Sequence, residues 1–179
     1  MAHTMRTGTY TDPGGSRGDW RDTASRYALL PLRIFLGVTF VYAGLDKLTS
    51  STFLKDSGDQ SIGDQIRFLQ EHGDVAIPKM LDLAANSPVG FGYAIAFGEL
   101  AVGIGTLIGL LARIAALGGA LLSLSLWFTM SWSDTPYYMG NDLPYLMAWL
   151  PLILAGASYW SVDAWLRQRR RGISQGGAA

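Results

Sequence analysis

Four apolar segments run through the chain, and the first two each contain one strongly ionisable residue. The segments are Leu29–Leu45, Val89–Leu111, Ile114–Trp132 and Leu143–Trp160. Arg33 lies in the first segment and Glu99 in the second. A charge at the centre of a bilayer costs about 2.5–3.5 kcal/mol on insertion scales. We therefore expect both residues to face a partner, a ligand or a water pocket inside a helical bundle.

The composition of the chain is typical of a membrane protein. Apolar residues make up 49% of the 179 residues, and charged residues make up 16%. A transmembrane helix needs about 20 apolar residues, so four spans use up much of this length. We predict an all-α integral membrane fold, a four-transmembrane-helix bundle embedded in the lipid bilayer, with one domain at residues 28–165. Residues 1–27 are predicted to form a mobile cytoplasmic tail, and residues 166–179 a basic cytoplasmic tail.

Basic residues fall mainly on one side of the predicted bundle. Beyond the segment ends on that side lie, among others, Arg17, Arg21, Arg26, Arg113, Arg167, Arg169, Arg170 and Arg171. The two opposite loops contain three basic residues, Lys55, Arg67 and Lys79, against eight acids. The positive-inside rule then predicts a multi-pass protein of the cell membrane with both termini in the cytoplasm.

The first outer loop, Thr49–Pro88, is too long for a simple turn. Ile62, Ile66 and Leu69 recur at helical spacing, with charged residues on the other side. This pattern predicts one or two short amphipathic helices on the outer membrane surface. An ordered cap without a site explains the same pattern.

Several function classes lack support in the composition. Acidic and basic residues balance at 14 each, so the overall charge gives no reason to expect nucleic acid as a partner. The chain has no cysteine and only two histidines, which lie far apart. We therefore expect no intrinsic metal or haem site.

The charged residues lie on faces built from small side chains. Residues on the first segment step by four and three positions: Arg33, Gly37, Phe40, Gly44 and Lys47. A matching series on the second segment is Gly92, Ala96, Glu99, Gly103 and Thr106. Each series shares one helix face, which predicts that both faces point into the bundle. Glu99 is then either one half of a structural ion pair or a proton-handling carboxylate in a ligand pocket.

Depth along the helices suggests partners for the buried charges. Glu99 lies roughly 15 Å below the outer end of its span, at a rise of 1.5 Å per residue. Lys47 is near the outer end of the first span and Arg33 near the inner end. We favour Lys47 as the partner of Glu99, because Asp163 matches Arg33 in depth and offers it a structural ion pair.

Aromatic residues gather at the level of Glu99 and above it. They include Tyr42, Trp127 and Trp149. The aromatic belt at the membrane interface explains most of them. A carboxylate beneath aromatic walls suits a quinone head group, which stacks and exchanges protons, but it suits a plain core equally well.

Four stretches of sequence stand out: LRIFLGVTFVYAGLDKL (Leu32–Leu48), GELAVGIGTLIGLLAR (Gly98–Arg113), WSDTPYYMGNDLPYLMAWLPLILAG (Trp132–Gly156) and LAGASYWSVDAW (Leu154–Trp165). The first, second and fourth resemble the DoxX family of four-helix membrane proteins. The third stretch resembles the DoxD branch, named for the small subunit of thiosulfate:quinone oxidoreductase. The resemblance covers roughly Ala28–Trp165, and its motifs are specific in order and spacing.

The resemblance implies a quinone-linked oxidoreductase subunit that works with a second protein subunit and takes quinone as substrate. Thiosulfate, oxidised to tetrathionate, is the reductant it suggests. The matching positions are Arg33, Lys47, Glu99, Arg113, Asp142 and Asp163. We expect Glu99 to carry protons beside Lys47, and the ligand to bind at Arg33, Tyr42, Trp127, Trp149 and Asp142.

A non-catalytic membrane anchor or assembly subunit is the alternative. A transporter is the weakest hypothesis, because no paired broken helices appear.

Overall fold

The computed structural model describes residues 24, 27–156, 161–163, 165 and 169. Within these residues the chain forms six α-helices and no β-strand. The helices are α1 (Leu30–Thr49), α2 (Ile62–His72), α3 (Pro78–Ala85), α4 (Pro88–Ile108), α5 (Ala112–Thr129) and α6 (Asp142–Ala155). The all-α prediction is confirmed for this part of the chain. Apart from residues 24, 27 and 169, the two predicted tails lie outside the described residues.

The helix boundaries follow local sequence signals. A proline stands at the first or second position of α1, α3 and α4. Backbone N–H groups in the first turn of a helix have no intrahelical acceptor, so the lack of an N–H on proline costs no hydrogen bond there. The side chain of Ser61 caps α2 by accepting a hydrogen bond from the backbone N–H of Asp64. Gly109 ends α4 in the left-handed conformation, with φ of 66°.

Glycine brings α1 and α4 into close antiparallel contact. A Cβ atom at Gly44 would lie 2.7 Å from the carbonyl oxygen of Ala96, and one at Gly103 would lie 2.6 Å from the backbone nitrogen of Val41. Neither separation is possible for a residue with a side chain unless a helix moves. The predicted small-residue faces therefore meet each other, and their backbones touch.

Trp149 fills the space between α5, α6 and α1. Its ring lies directly on Gly119 of α5. The ring of Phe40 on α1 meets it edge to face, with centroids 5.0 Å apart. Trp149 is fully buried and belongs to the main core cluster together with Leu36 and Leu152. One large aromatic side chain thus joins three of the long helices.

The two short helices pack as a cap against the beginning of α4. Ile62 and Ile66 of α2 form a second apolar cluster with Leu81 and Ala84 of α3. A backbone hydrogen bond of 3.0 Å from the N–H of Ala76 to the carbonyl of Phe128 ties the cap to the end of α5. The prediction of short amphipathic helices in this loop is confirmed.

Among the described helices, α4 and α5 are long and apolar enough to cross a membrane, judged by length and composition. The 20-residue α1 carries three charged residues, Arg33, Asp46 and Lys47. The 14-residue α6 ends before Gly156. Large apolar side chains are nevertheless exposed on all four helices, for example Phe35, Phe97, Leu117 and Leu150. This inside-out arrangement of polarity is characteristic of a helical protein in lipid.

Candidate functional site

An ion pair between Lys47 and Glu99 joins α1 to α4. The ammonium group of Lys47 donates to both carboxylate oxygens of Glu99, over 2.9 Å to Oε1 and 2.8 Å to Oε2. The Glu99 side chain is 5% exposed and that of Lys47 is 25% exposed. The structure thus brings together the two residues that spacing and depth had paired.

The packing of α1 on α4 sets the geometry of this pair. Gly44 lies three residues before Lys47 and contacts the backbone of α4 at Ala96 and Leu100. That close contact places the end of α1 beside the turn of α4 that carries Glu99. The flexible stem of Lys47 then covers the remaining difference in depth.

The loop before α2 also contacts the ion pair. The Lys47 Nζ atom lies 5.9 Å from the ring centroid of Phe53, at the outer limit of a cation–π contact. Phe53 packs in turn against the apolar cluster of α2 and α3. Sequence reasoning missed Phe53, because it stands in a loop without periodicity and only the fold brings it to the site.

The ion pair retains hydrogen-bonding capacity. An ammonium group has three N–H donors, and two of those of Lys47 bind Glu99. Within the described residues the third donor makes no hydrogen bond. The partly exposed cation can therefore donate to a carbonyl oxygen of a ligand, while the buried carboxylate can accept or release a proton.

Asp142 lies near the site at the beginning of α6. The hydroxyl of Ser131 donates to its carboxylate. The charge of Lys47 acts on Asp142 as well as on Glu99. Gly140 packs closely against Ser131 and Asp134, which folds the loop from 131 to 142 back on itself. Asp142 is thus a second acid within electrostatic range of the same cation.

The predicted aromatic residues separate into three locations. Tyr42 is 70% exposed on the outward face of α1. Trp127 belongs to an outer aromatic group, with its ring centroid 5.4 Å from those of both Phe128 and Trp132. Trp149 is buried in the main core, and its Nε1 donor has no partner within the described residues. The structure therefore does not gather these three rings around one ligand.

Among the described residues, the salt bridges do not include the predicted pair of Arg33 and Asp163. Instead, the Asp163 carboxylate accepts hydrogen bonds of 2.9 Å from the backbone N–H groups of Leu111 and Ala112. The turn before α5 contains two left-handed residues, Gly109 and Leu111, and α5 begins without a capping side chain of its own. Its unpaired N–H groups attract a carboxylate, as the first turn of a helix does.

The remaining basic residues of the family pattern, Arg33 and Arg113, lie near the beginnings of α1 and α5. Arg33 is buried on α1, with 7% of its surface exposed. Arg113 donates a 2.9 Å hydrogen bond to the carbonyl of Leu154 and packs against Gly156. Arg113 thus satisfies a carbonyl at the end of α6 and has a structural role in this arrangement.

These features, apolar outward faces and buried charges within an all-helical fold, define a helical membrane protein. The chain belongs to the DoxD family, since the family model described as "TQO small subunit DoxD" matches residues 28–176. TQO denotes thiosulfate:quinone oxidoreductase. No curated protein and no solved structure matches the chain. The resemblance found in the sequence is confirmed, and the family description indicates a membrane redox subunit that works with a partner subunit.

Proposed function

We propose that this chain is the quinone-reacting small subunit of a thiosulfate:quinone oxidoreductase. The observation that carries the proposal is the Lys47–Glu99 pair, a buried carboxylate bound by a partly exposed cation. A quinone needs a hydrogen-bond donor at its carbonyl oxygen and a group that supplies protons as electrons arrive. Lys47 has an N–H donor to offer, and Glu99 lies directly behind it.

The overall reaction balances without a cofactor on this chain. Two thiosulfate ions join through a new S–S bond to form tetrathionate and release two electrons. One quinone takes up these two electrons with two protons and becomes the quinol. The companion subunit or thiosulfate itself delivers the electrons. Lys47 orients the quinone carbonyl, and Glu99 passes protons to the reduced oxygen.

We further propose that α1, α4, α5 and α6 all cross the membrane. At 1.5 Å per residue the 20-residue α1 is about 30 Å long, which matches a bilayer core. Its charged residue Arg33 is buried while Phe35 is exposed, so α1 presents an apolar face to lipid. With four crossings both termini lie on one side of the membrane. The arginine distribution supports the cytoplasm as that side and the outer side as the location of the cap of α2 and α3.

Glu99→Gln tests the proposed role of the carboxylate, because it preserves the shape and removes the titrating group. In a purified complex given thiosulfate and a soluble quinone analogue, we expect quinone reduction to fall by about 100-fold or more, the usual contribution of general acid–base catalysis. The matched control is Asp59→Asn in the loop before α2, where the residue is exposed. Normal quinone reduction by an intact Glu99→Gln complex would contradict the proposal.

A membrane anchor is the second candidate, and the two hydrogen bonds of the ion pair favour it. Both Glu99 oxygens are already bound by Lys47, as in a structural link between helices. If the chain is only an anchor, Glu99→Gln will reduce the amount of assembled complex. The turnover of each complex that does assemble will then be unchanged.

A further inference from the structure

An open groove lies between α2 and the end of α5. It has a volume of 310 Å³ and is lined by Asp64, Gln65, Phe68, Leu69 and Met130. Phe68 is 62% exposed at its edge, and its ring stacks on His72 with centroids 5.0 Å apart. The helix thus holds an aromatic side chain in a defined position on the surface. Aromatic residues and methionine are enriched at protein–protein interfaces.

The surface around the groove is acidic. The segment 50–87 contains six acids, Asp56, Asp59, Asp64, Glu71, Asp74 and Asp82, against the three basic residues Lys55, Arg67 and Lys79. Arg67 is engaged within the segment, because it donates to the Asp64 carboxylate and to the carbonyl of Asp56. The hydrogen bond from Arg67 lowers the pKa of Asp64, which keeps that carboxylate ionised at neutral pH. Arg67 and Asp64 balance each other, so the net negative charge at the rim of the groove comes from Glu71 and the other acids of segment 50–87, which outnumber Lys55 and Lys79.

The charge of α2 decides between a protein and a lipid as the occupant. Helices that lie on anionic membranes carry lysine and arginine on their polar face. On the polar face of α2, Arg67 pairs with Asp64, which leaves the acid Glu71 and no unpaired lysine or arginine. An acidic rim instead complements lysine or arginine on a protein surface and suppresses contact with anionic surfaces.

We propose that this groove is the docking site of the companion subunit. The site receives one apolar side chain of that subunit, flanked by lysine or arginine residues that meet Glu71 and the other acids of segment 50–87. The proposal rests on the proposed function, because it assumes the two-subunit oxidoreductase, and it adds the place and the chemistry of the subunit contact. Phe68 is the central contact residue, and the ion pair at Glu99 takes no part in docking.

Photo-crosslinking from position 68 tests the docking site. Benzoylphenylalanine replaces Phe68 in the full chain, expressed in the membranes of its source organism, and the crosslinked peptide is sequenced by mass spectrometry. The matched control places the same probe at Leu83 of α3, which is 71% exposed and does not line the groove. We expect a crosslink from position 68 alone, to a segment of a second protein with lysine or arginine beside the crosslinked residue. Crosslinks to lipid only, to another copy of this chain or to an acidic segment would each overturn the proposal.

Substitutions then measure the contact with the subunit so identified. Phe68→Ala should weaken its binding about 30-fold, the loss that corresponds to a truncated interface hot spot, whereas Leu83→Ala should leave binding unchanged. Glu71→Lys should weaken binding, and the loss of affinity should be larger at low salt than at high salt. Asp59→Lys, outside the groove, should cause a smaller loss of affinity. Binding unaffected by Phe68→Ala would contradict the docking site. Glu99→Gln separates the two proposals, because it should abolish quinone reduction and leave the crosslink from position 68 intact.

Discussion

Lys47 and Glu99 share two hydrogen bonds but differ in their access to solvent. The carboxylate is enclosed between the helices, whereas a quarter of the Lys47 side chain remains exposed. A buried charge is tolerated when its partner is present and becomes costly when that partner is removed. The energetic importance of the pair is therefore asymmetric, with Glu99 depending on Lys47 more than Lys47 depends on Glu99.

A double-mutant cycle tests this dependence. Lys47→Met keeps the aliphatic stem and leaves Glu99 without its cation, so we expect a loss of about 3–5 kcal/mol in stability, as for broken buried pairs in soluble proteins. Adding Glu99→Gln to Lys47→Met should restore much of that loss, because the unpaired carboxylate is gone. Thermal unfolding midpoints in one detergent compare the four proteins. Strictly additive effects of the two substitutions would show that the pair is not coupled.

At the scale of helices, spacing in the sequence predicted which helix faces meet, but not the hydrogen-bond partner of every charged side chain. The steps of three and four residues placed Glu99 and Lys47 on facing helices, and the structure joins them. The partner of Asp163 could not be predicted in this way, since it depends on the left-handed turn at Gly109 and Leu111. The groove at Phe68 likewise depends on how α2 packs beside Met130. The spacing of residues in the sequence does not indicate that contact.

The contact between α1 and α4 gives a prediction with an internal control. Gly103→Ala adds a methyl group 2.6 Å from a backbone nitrogen of α1 and should lower the unfolding temperature clearly. Gly98→Ala on the same helix meets only Leu122, at 3.7 Å, in ordinary contact. Because alanine favours a helix over glycine by about 1 kcal/mol, Gly98→Ala should be neutral or stabilising. Equal losses in both variants would argue against a special α1–α4 contact.

At the scale of the whole molecule, the proposed topology can be tested in this cysteine-free chain. Single cysteines at Ser57 and Ser133, both exposed, should react with an impermeant thiol reagent added outside intact cells. A cysteine at Ser174 should react only after the membrane is opened, because the basic end of the chain is predicted to be cytoplasmic. External labelling at position 174 would overturn the orientation. Ser61 is unsuitable as a labelling position because it is buried and caps α2.

The hydrogen bonds of Asp163 have a consequence for the order in which the protein is completed. The ribosome makes α4, the tight turn and α5 long before it reaches Asp163, whose carboxylate binds the first N–H groups of α5. During synthesis those N–H groups must therefore rely on water or lipid head groups. Helix α5 therefore acquires its final cap only after α6 has been made.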